Sequence, residues 1–125
     1  MLLVEDEPAV RVLVRDTLRL FGYQVLEARH GFEAQLIAHQ HTGPIHLLIT
    51  DVVMPQMSGR ELAEGLATEH AHMKVLYMSG YTESAVIHHR VLNPGTAFLQ
   101  KPFTPETLTR KIREILDINK EQAAR

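Results

Sequence analysis

Four short segments of this 125-residue chain are apolar almost without interruption, and they constrain its fold more than any other feature. A continuous apolar run suits a strand covered on both faces, which is the condition of strands in a parallel sheet. The four runs are Leu2–Val4 and residues 45–49, 75–78 and 97–99. Segment 23–28 alternates apolar and polar residues instead, as an edge strand with one solvent-facing side does. The chain is therefore predicted to contain five strands.

The segments between these runs have the period of amphipathic helices. Helical patterns cover residues 10–21, 32–41, 58–67, 82–92 and 104–116. The third pattern opens with Ser58 and Glu61, which form a Ser-x-x-Glu capping box. Pro8 stands where the first turn of the first helix tolerates proline. Apolar stripes predict the core-facing residues, which are Val10, Leu13, Val14, Thr17, Leu18 and Phe21 in the first helix and Leu108, Ile112, Ile115 and Leu116 in the last.

Strand and helix therefore alternate five times along the chain. This order favours an α/β fold in which a parallel five-stranded sheet has right-handed crossovers and helices on both faces. We predict a (βα)5 three-layer sandwich, with one domain over residues 1–119 and a polar tail at 120–125. Because the first strand begins almost at the first residue, we expect that the chain was cut from a longer protein.

Composition excludes several classes of function. The chain has no cysteine, which rules out a disulfide, a thiolate metal site and a thiolate nucleophile. Its formal net charge of −2 argues against a nucleic-acid surface. No apolar run approaches the ~18 residues of a membrane span. We expect a cytoplasmic domain that neither binds nucleic acid directly nor inserts into a membrane.

Polar side chains follow each of the four apolar runs. They are Glu5 and Asp6 after the first, Asp51 after the second, Ser79 after the third and Lys101 after the fourth. In an open parallel sheet, ligands bind in the crevice outside the carboxyl ends of the strands. Three close carboxylates repel one another unless a hard divalent cation lies among them, and oxygen ligands favour Mg²⁺. A lysine and a hydroxyl beside them supply donors for an anion, as phosphoryl transfer to an aspartate requires.

Four motifs resemble those of the receiver domain of two-component response regulators. They read LVEDE at 3–7, TDVVMPQMSG at 50–59, MSGY at 78–81 and FLQKPF at 98–103. The resemblance covers residues 2–118 and implies a flavodoxin-like sheet with strand order 2-1-3-4-5. The last motif and the residues after it look most like the receiver at the C-terminus of a hybrid sensor histidine kinase.

The resemblance also implies a role for each motif residue. Asp51 would be the phosphoacceptor. The site for Mg²⁺ or Mn²⁺ would comprise Asp6 as a direct ligand, Glu5 through water, Asp51, and the backbone carbonyl of Val53. Ser79 and Lys101 would contact the phosphoryl group, and Phe98 would be the aromatic switch. Three residues would have structural roles: Pro55 and Gly59 in the loop before the third helix, and Pro102 after a cis peptide bond.

These roles imply a phosphoaccepting signalling switch. Asp51 would take the phosphoryl group from a phosphohistidine of a histidine kinase or phosphotransfer domain, and the domain would shift to an active conformation. We expect the isolated domain to phosphorylate itself at Asp51 in the presence of the metal. We do not expect it to act as an enzyme on other molecules. The signal would pass to a downstream protein or a parent kinase, and homodimerisation would use the face of the fourth helix, the fifth strand and the last helix.

The residues leave other functions open. An aspartate-based phosphohydrolase of the haloacid dehalogenase kind needs a second acid two residues after its nucleophile, where this chain has Val53. A receiver-like docking module that works without phosphorylation would usually lack an acid or the lysine. A flavodoxin-like nucleotide binder would need a glycine loop after the first strand, where residues 5–8 would repel phosphate.

Three departures and the histidines complete the sequence predictions. Glu5 stands where the family more often has aspartate, and Phe98 where it more often has tyrosine, so switching would depend on packing without a hydroxyl. The apolar Val53 borders the path of an attacking water and predicts slow hydrolysis of a phosphoaspartate. Two histidine pairs, His39 with His41 and His70 with His72, are each two residues apart, which on a helix puts the two members on different faces. Surface or capping roles are therefore predicted for the eight histidines rather than a metal site.

Overall fold

The computed structural model describes residues 1–80 and 97–124, with side chains as far as residue 117. Its strands are β1 (Leu2–Val4), β2 (Leu26–Ala28), β3 (Leu47–Asp51), β4 (Lys74–Ser79) and β5 (Ala97–Gln100). Its helices are α1 (Pro8–Leu20), α2 (Gly31–Gln40), α3 (Gly59–Leu66) and α4 (Pro105–Ala124). The helix predicted at residues 82–92 lies outside the described residues. No helix within the described ranges combines the length and the apolar character needed to cross a bilayer.

The described strands form one parallel sheet in the order β2-β1-β3-β4-β5, which confirms the predicted topology. The winding reverses beside β1, so β1 and β3 are neighbours and a crevice opens at their carboxyl ends. The register pairs Val4 with Thr50 and Asp51 with Met78. The residues that follow β1, β3 and β4 therefore emerge along the same edge of the sheet.

The sheet separates two apolar cores. Leu2 and Val4 of β1 face the core beneath α2 and α3, whereas Leu3 faces the core beneath α1 and α4. All three side chains are fully buried, and burial of each contributes about 1.5–3 kcal/mol. Helices α1 and α4 contact each other on one face, and α2 and α3 on the other. The predicted three-layer α/β arrangement is confirmed.

Several boundaries and faces differ from the sequence prediction. Strand β2 contains only the last three residues of segment 23–28, because its neighbour β1 offers only three residues for pairing. Strand β3 begins two residues later than predicted and includes Asp51 as its last residue. On α1, Leu13 is 48% exposed, since the buried strip is limited to Val14, Thr17 and Leu18. Phe21 is 54% exposed and forms the C-cap rather than part of the helix.

The capping box at the start of α3 is present as predicted. The backbone N–H of Glu61 donates to Ser58 Oγ at 3.1 Å, and the backbone N–H of Ser58 donates to Glu61 Oε1 at 3.2 Å. Two N–H groups that the helix leaves without partners are thereby satisfied. The box sets the start of α3 directly after the loop that follows β3.

Replacing Ser58 with alanine should remove one of these two hydrogen bonds. We expect Ser58→Ala to lower the free energy of unfolding by about 1 kcal/mol, measured by urea denaturation. Ser58→Thr keeps the hydroxyl acceptor and should stay close to the wild type. An equal loss in both variants would show that the cap does not stabilise this helix.

Candidate functional site

Strand β1 brings two acidic residues to the edge of the sheet. Glu5 is fully buried, and its backbone N–H extends the pairing with β2 by donating to the Ala28 carbonyl at 3.1 Å. Arg11 of α1 donates to the Glu5 carbonyl at 2.8 Å. The next residue, Asp6, is exposed. One carboxylate is therefore fixed inside the edge, and its neighbour in sequence reaches solvent.

Strand β3 brings Asp51 to the middle of the same edge. Asp51 is 5% exposed and lies on the strand between β1 and β4. Pairing continues past it, because the Val52 N–H donates to the Met78 carbonyl at 2.9 Å. Thr50 is fully buried, and its hydroxyl donates to the Asp51 carbonyl at 3.1 Å. The backbone on both sides of Asp51 is thus held by hydrogen bonds.

The loop after β3 turns back against Asp51 and explains the glycine at position 59. A Cβ on Gly59 would lie 2.0 Å from the Asp51 carbonyl oxygen. The Gly59 N–H donates to the Val52 carbonyl at 2.9 Å. Glycine is required here by the close approach of two backbone segments. Gln56, which follows Pro55, is the residue of this loop with a left-handed backbone, at φ 73°.

Lys101 joins the acids of β1 and β3. Its Nζ lies 2.7 Å from Glu5 Oε1 and 2.7 Å from Asp51 Oδ1. Its backbone N–H donates to the Ser79 carbonyl at 2.8 Å, which fixes the residue over the end of β4. The Lys101–Pro102 peptide bond is cis. One ammonium therefore bridges two buried carboxylates that belong to different strands.

The three acids form a cluster that fits a hard divalent cation. Glu5, Asp6 and Asp51 each place a carboxylate oxygen within 4.8 Å of the others. With all groups ionised, three carboxylates against one ammonium leave an excess of negative charge that a divalent cation would balance. Glu5 Oε2 is buried and has no hydrogen-bond partner among the described residues, so a water bound to a metal would supply the missing donor. An all-oxygen set suits Mg²⁺ or Mn²⁺.

Ser79 ends β4 beside this cluster. It is 2% exposed, and its Oγ has no hydrogen-bond partner within the described ranges. A buried hydroxyl without a partner costs roughly 1–3 kcal/mol of desolvation. A group bound at this edge would supply the missing partner.

Two apolar residues predicted for the site, Phe98 and Val53, differ in their surroundings. Phe98 pairs with Tyr77 in the β4–β5 register and packs on the core beneath α2 and α3. Burial, with a smaller contribution from the charge of Glu64, raises the pKa of Tyr77, so its hydroxyl stays neutral around neutral pH. The Val53 side chain is 57% exposed at the start of the loop after β3. Direct contacts thus unite Glu5, Asp51 and Lys101, with Phe98 among apolar neighbours.

The sequence predictions missed two features of the site. They placed Lys101 on the phosphoryl group and did not pair it with Glu5, because no spacing rule says which carboxylate an ammonium 96 positions away will contact. They also gave no role to Thr50, whose hydroxyl donates to the Asp51 carbonyl.

Comparison with known proteins gives a family match over most of the chain. A family model described as the response regulator receiver domain matches residues 1–113. Sensor kinase CckA of Brucella abortus is 38% identical over 117 residues, which cover 94% of this chain and 12% of that protein. Chemotaxis protein CheY1 of Helicobacter pylori is 33% identical over 124 residues, which cover 95% of this chain and 98% of that protein.

A solved receiver-domain structure is also similar to this chain. The receiver domain from hybrid histidine kinase CckA superposes with a TM-score of 0.77 at 36% identity, covering 92% of this chain and 96% of that one. The present chain thus spans nearly the whole of a chemotaxis protein but only 12% of the length of the sensor kinase.

Removing the Lys101 ammonium should leave two buried carboxylates without this counterion. We expect Lys101→Met to lower the free energy of unfolding by about 3 kcal/mol in metal-free buffer, measured by urea denaturation. Added Mg²⁺ should stabilise this variant more than the wild type, because the metal then faces a more negative cluster.

Two variants control this experiment. Lys111→Met removes a partly exposed lysine that lies 3.9 Å from Glu114, and should cost less than about 1 kcal/mol. Lys101→Met combined with Glu5→Gln removes one of the two buried charges that have lost their counterion and should recover part of the loss. A Mg²⁺ response in Lys101→Met no larger than that of the wild type would contradict the electrostatic account.

Proposed function

The chain belongs to the family of response regulator receiver domains, and on that premise we propose that Asp51 accepts a phosphoryl group from a phosphohistidine. Receiver domains of this family act in two-component signalling and are generally signalling modules rather than enzymes. The proposal rests on the contact of Lys101 with both Glu5 and Asp51, with Asp6 in the same cluster. This arrangement combines a nucleophilic carboxylate, a positive group beside it and oxygen ligands for a metal.

The metal ligands in this proposal are the acids of the cluster and one backbone carbonyl. Asp6 and Asp51 would bind Mg²⁺ or Mn²⁺ directly, Glu5 would bind through water, and the Val53 carbonyl would complete the set. When bound, the cation neutralises charge that develops on the phosphoryl oxygens. The buried oxygen of Glu5 without a donor supports this division of roles.

In the transfer step, one carboxylate oxygen of Asp51 attacks the phosphorus of the phosphohistidine. The new bond joins this oxygen to phosphorus, the phosphorus–nitrogen bond breaks, and its electron pair stays on the imidazole. The Lys101 ammonium lies 2.7 Å from Asp51 Oδ1, close enough to follow the charge onto the phosphoryl oxygens. The result is an acyl phosphate on Asp51, and small phosphodonors would support the same self-phosphorylation.

The response to phosphorylation would begin at Ser79 and reach Phe98. The buried Ser79 hydroxyl lacks a partner among the described side chains and would donate to a phosphoryl oxygen. Phe98 follows as the aromatic switch, and its partner in register, Tyr77, is itself buried. Since Phe98 has no hydroxyl, its two positions would differ only in packing. The added charge of roughly −1.5 to −2 at neutral pH biases this two-state element.

Partners follow from the same proposal. The phosphodonor would be a histidine kinase or a histidine phosphotransfer domain, and the signal would pass to a downstream protein or a parent kinase. The likeness to the CckA receiver favours an origin in a hybrid histidine kinase, and the domain would act in the cytoplasm. Homodimerisation would use β5 and α4 together with the helix predicted at residues 82–92.

Exposure to a small phosphodonor such as acetyl phosphate tests the central proposal. Intact mass should show one added phosphoryl group in the presence of Mg²⁺ and none after metal removal. Asp51→Asn should take up none, whereas Asp16→Asn, which changes an exposed acid on α1, should label like the wild type. Labelling of Asp51→Asn, or labelling that needs no metal, would refute Asp51 as the metal-dependent acceptor.

The exposed side chain of Val53 generates a second test. We expect Val53→Asn to shorten the lifetime of the phosphorylated protein severalfold in Mg²⁺ buffer, because a polar side chain there can orient an attacking water. Val53→Ala, which changes size but not polarity, should retain a long lifetime. An unchanged lifetime in Val53→Asn would eliminate the idea that an apolar residue protects the phosphoaspartate.

A further inference from the structure

The edge of the sheet opposite the acidic cluster carries a cavity rich in histidine. It has a volume of about 530 Å³ and lies between residues 41–46, which precede β3, and residues 69–73, which precede β4. Five of the eight histidines line it, together with one carboxylate. These residues are His39, His41, His46, Glu69, His70 and His72.

Parallel pairing, and not helical spacing, brings these histidines together. Helix α2 ends at Gln40, and His41 has an extended backbone. The residues from 70 to 73 lie in the turn between α3 and β4. The register of β3 with β4 starts at Leu47 and Lys74, and the Lys74 N–H donates to the His46 carbonyl at 2.9 Å. The two loops therefore run side by side, which the two-residue spacing of the histidine pairs did not indicate.

One contact across the cavity has the separation of two metal ligands. His39 Nδ1 lies 3.4 Å from Glu69 Oε2, which is long for a hydrogen bond. Metal bonds of about 2.0–2.1 Å would place two tetrahedral ligand atoms roughly 3.3–3.4 Å apart. Both side chains are more than half exposed, at 74% and 52%, so an ion can reach them from solvent.

A second contact leaves one ring nitrogen of His70 available as a metal ligand. His70 is half-buried, and its Nε2 lies 3.3 Å from the Ala38 carbonyl. Since a carbonyl only accepts, Nε2 carries the hydrogen and the neutral ring keeps its lone pair on Nδ1. Histidines that bind metals typically donate their other ring N–H to a carbonyl or carboxylate in this way. Ala38 and His39 are adjacent, so this bond also holds His70 beside the first pair.

We propose that this cavity binds a transition-metal dication of the zinc type through His39, Glu69 and His70. Imidazole nitrogen with one carboxylate suits Zn²⁺, Ni²⁺ or Co²⁺ far better than Mg²⁺. Within the described residues, only the acidic cluster has three ligand atoms within 4.8 Å of one another. Binding at the cavity therefore includes rotation of the exposed His39 and Glu69 side chains toward His70. The ion would tie the end of α2 to the turn before β4.

The two metal sites are separated by the length of the sheet. The six residues of β4 begin directly after the cavity and end with Ser79, which corresponds to about 20 Å. They also differ in donor type, since the acidic cluster offers only oxygen. Excess Mg²⁺ can therefore occupy the acidic cluster while a softer ion is titrated into the cavity.

The test is a titration of the untagged chain with Co²⁺ in saturating Mg²⁺, followed by visible absorption. We expect the intense bands of four-coordinate Co²⁺, which Zn²⁺ displaces and further Mg²⁺ does not. His39→Gln and Glu69→Gln should each weaken binding at least ~10-fold, because loss of a group that only supports a ligand already costs that much. Zn²⁺ should also raise the melting temperature of the wild type, but not of the double variant that combines His39→Gln with Glu69→Gln.

His30→Asn is the matched control. His30 caps the opposite end of α2 by accepting from the Glu33 N–H at 3.2 Å, and asparagine keeps that cap. Its affinity for Co²⁺ should equal that of the wild type. Weak six-coordinate absorption that Mg²⁺ abolishes, or unchanged affinity in the double variant, would overturn the proposal. Both results are independent of whether Asp51 accepts a phosphoryl group.

Discussion

The bridge that Lys101 makes between Glu5 and Asp51 is the interaction on which the rest of the site depends. It joins groups 96 and 50 positions apart in the chain, at 2.7 Å each, at an edge where both carboxylates are nearly inaccessible to water. Two buried carboxylates without a counterion would repel each other and lose their hydration. With the ammonium in place the cluster still has more negative than positive charge, because Asp6 adds a third carboxylate. The lysine therefore offsets part of the repulsion between the buried acids and leaves a negative charge that a divalent cation would balance.

The strand order makes this bridge feasible. Neighbouring strands lie about 4.8 Å apart, so β5 is roughly 10 Å from β3 and roughly 14 Å from β1. The lysine side chain must pass over the end of β4 to reach both acids. Strand β4 ends in Ser79, whose side chain is small and whose carbonyl accepts from the Lys101 N–H. A bulky residue at that position would occupy the path of the lysine side chain.

The hydrophobic pattern was sufficient to predict the parallel sheet and the edge where the polar residues meet, whereas the strand order came from the resemblance of the motifs to receiver domains. The sequence did not show the features that depend on neighbouring segments of the folded chain. Segment 23–28 alternates over six residues, yet only three form β2, because the length of a strand is set by its neighbour as well as by its own residues. Gly59 was expected only as part of the loop before the third helix, whereas the structure requires glycine there because the backbone lies close to the Asp51 carbonyl. The histidines were judged by helical spacing, although most of those at the cavity lie in loops whose proximity is determined by strand pairing.

Two buried polar atoms, Glu5 Oε2 and Ser79 Oγ, lack hydrogen-bond partners among the described residues, and both lie at the carboxyl edge of the sheet. Each such atom costs free energy, and native proteins contain few of them. The two apolar cores, with several fully buried leucines on each face of the sheet, provide the stability that offsets this cost. A sequence selected only for stability would replace these groups by apolar residues or pair them internally. Their retention beside Asp51 and Lys101 is explained if the missing partners arrive with a ligand, as a metal-bound water for the glutamate and an anionic oxygen for the serine.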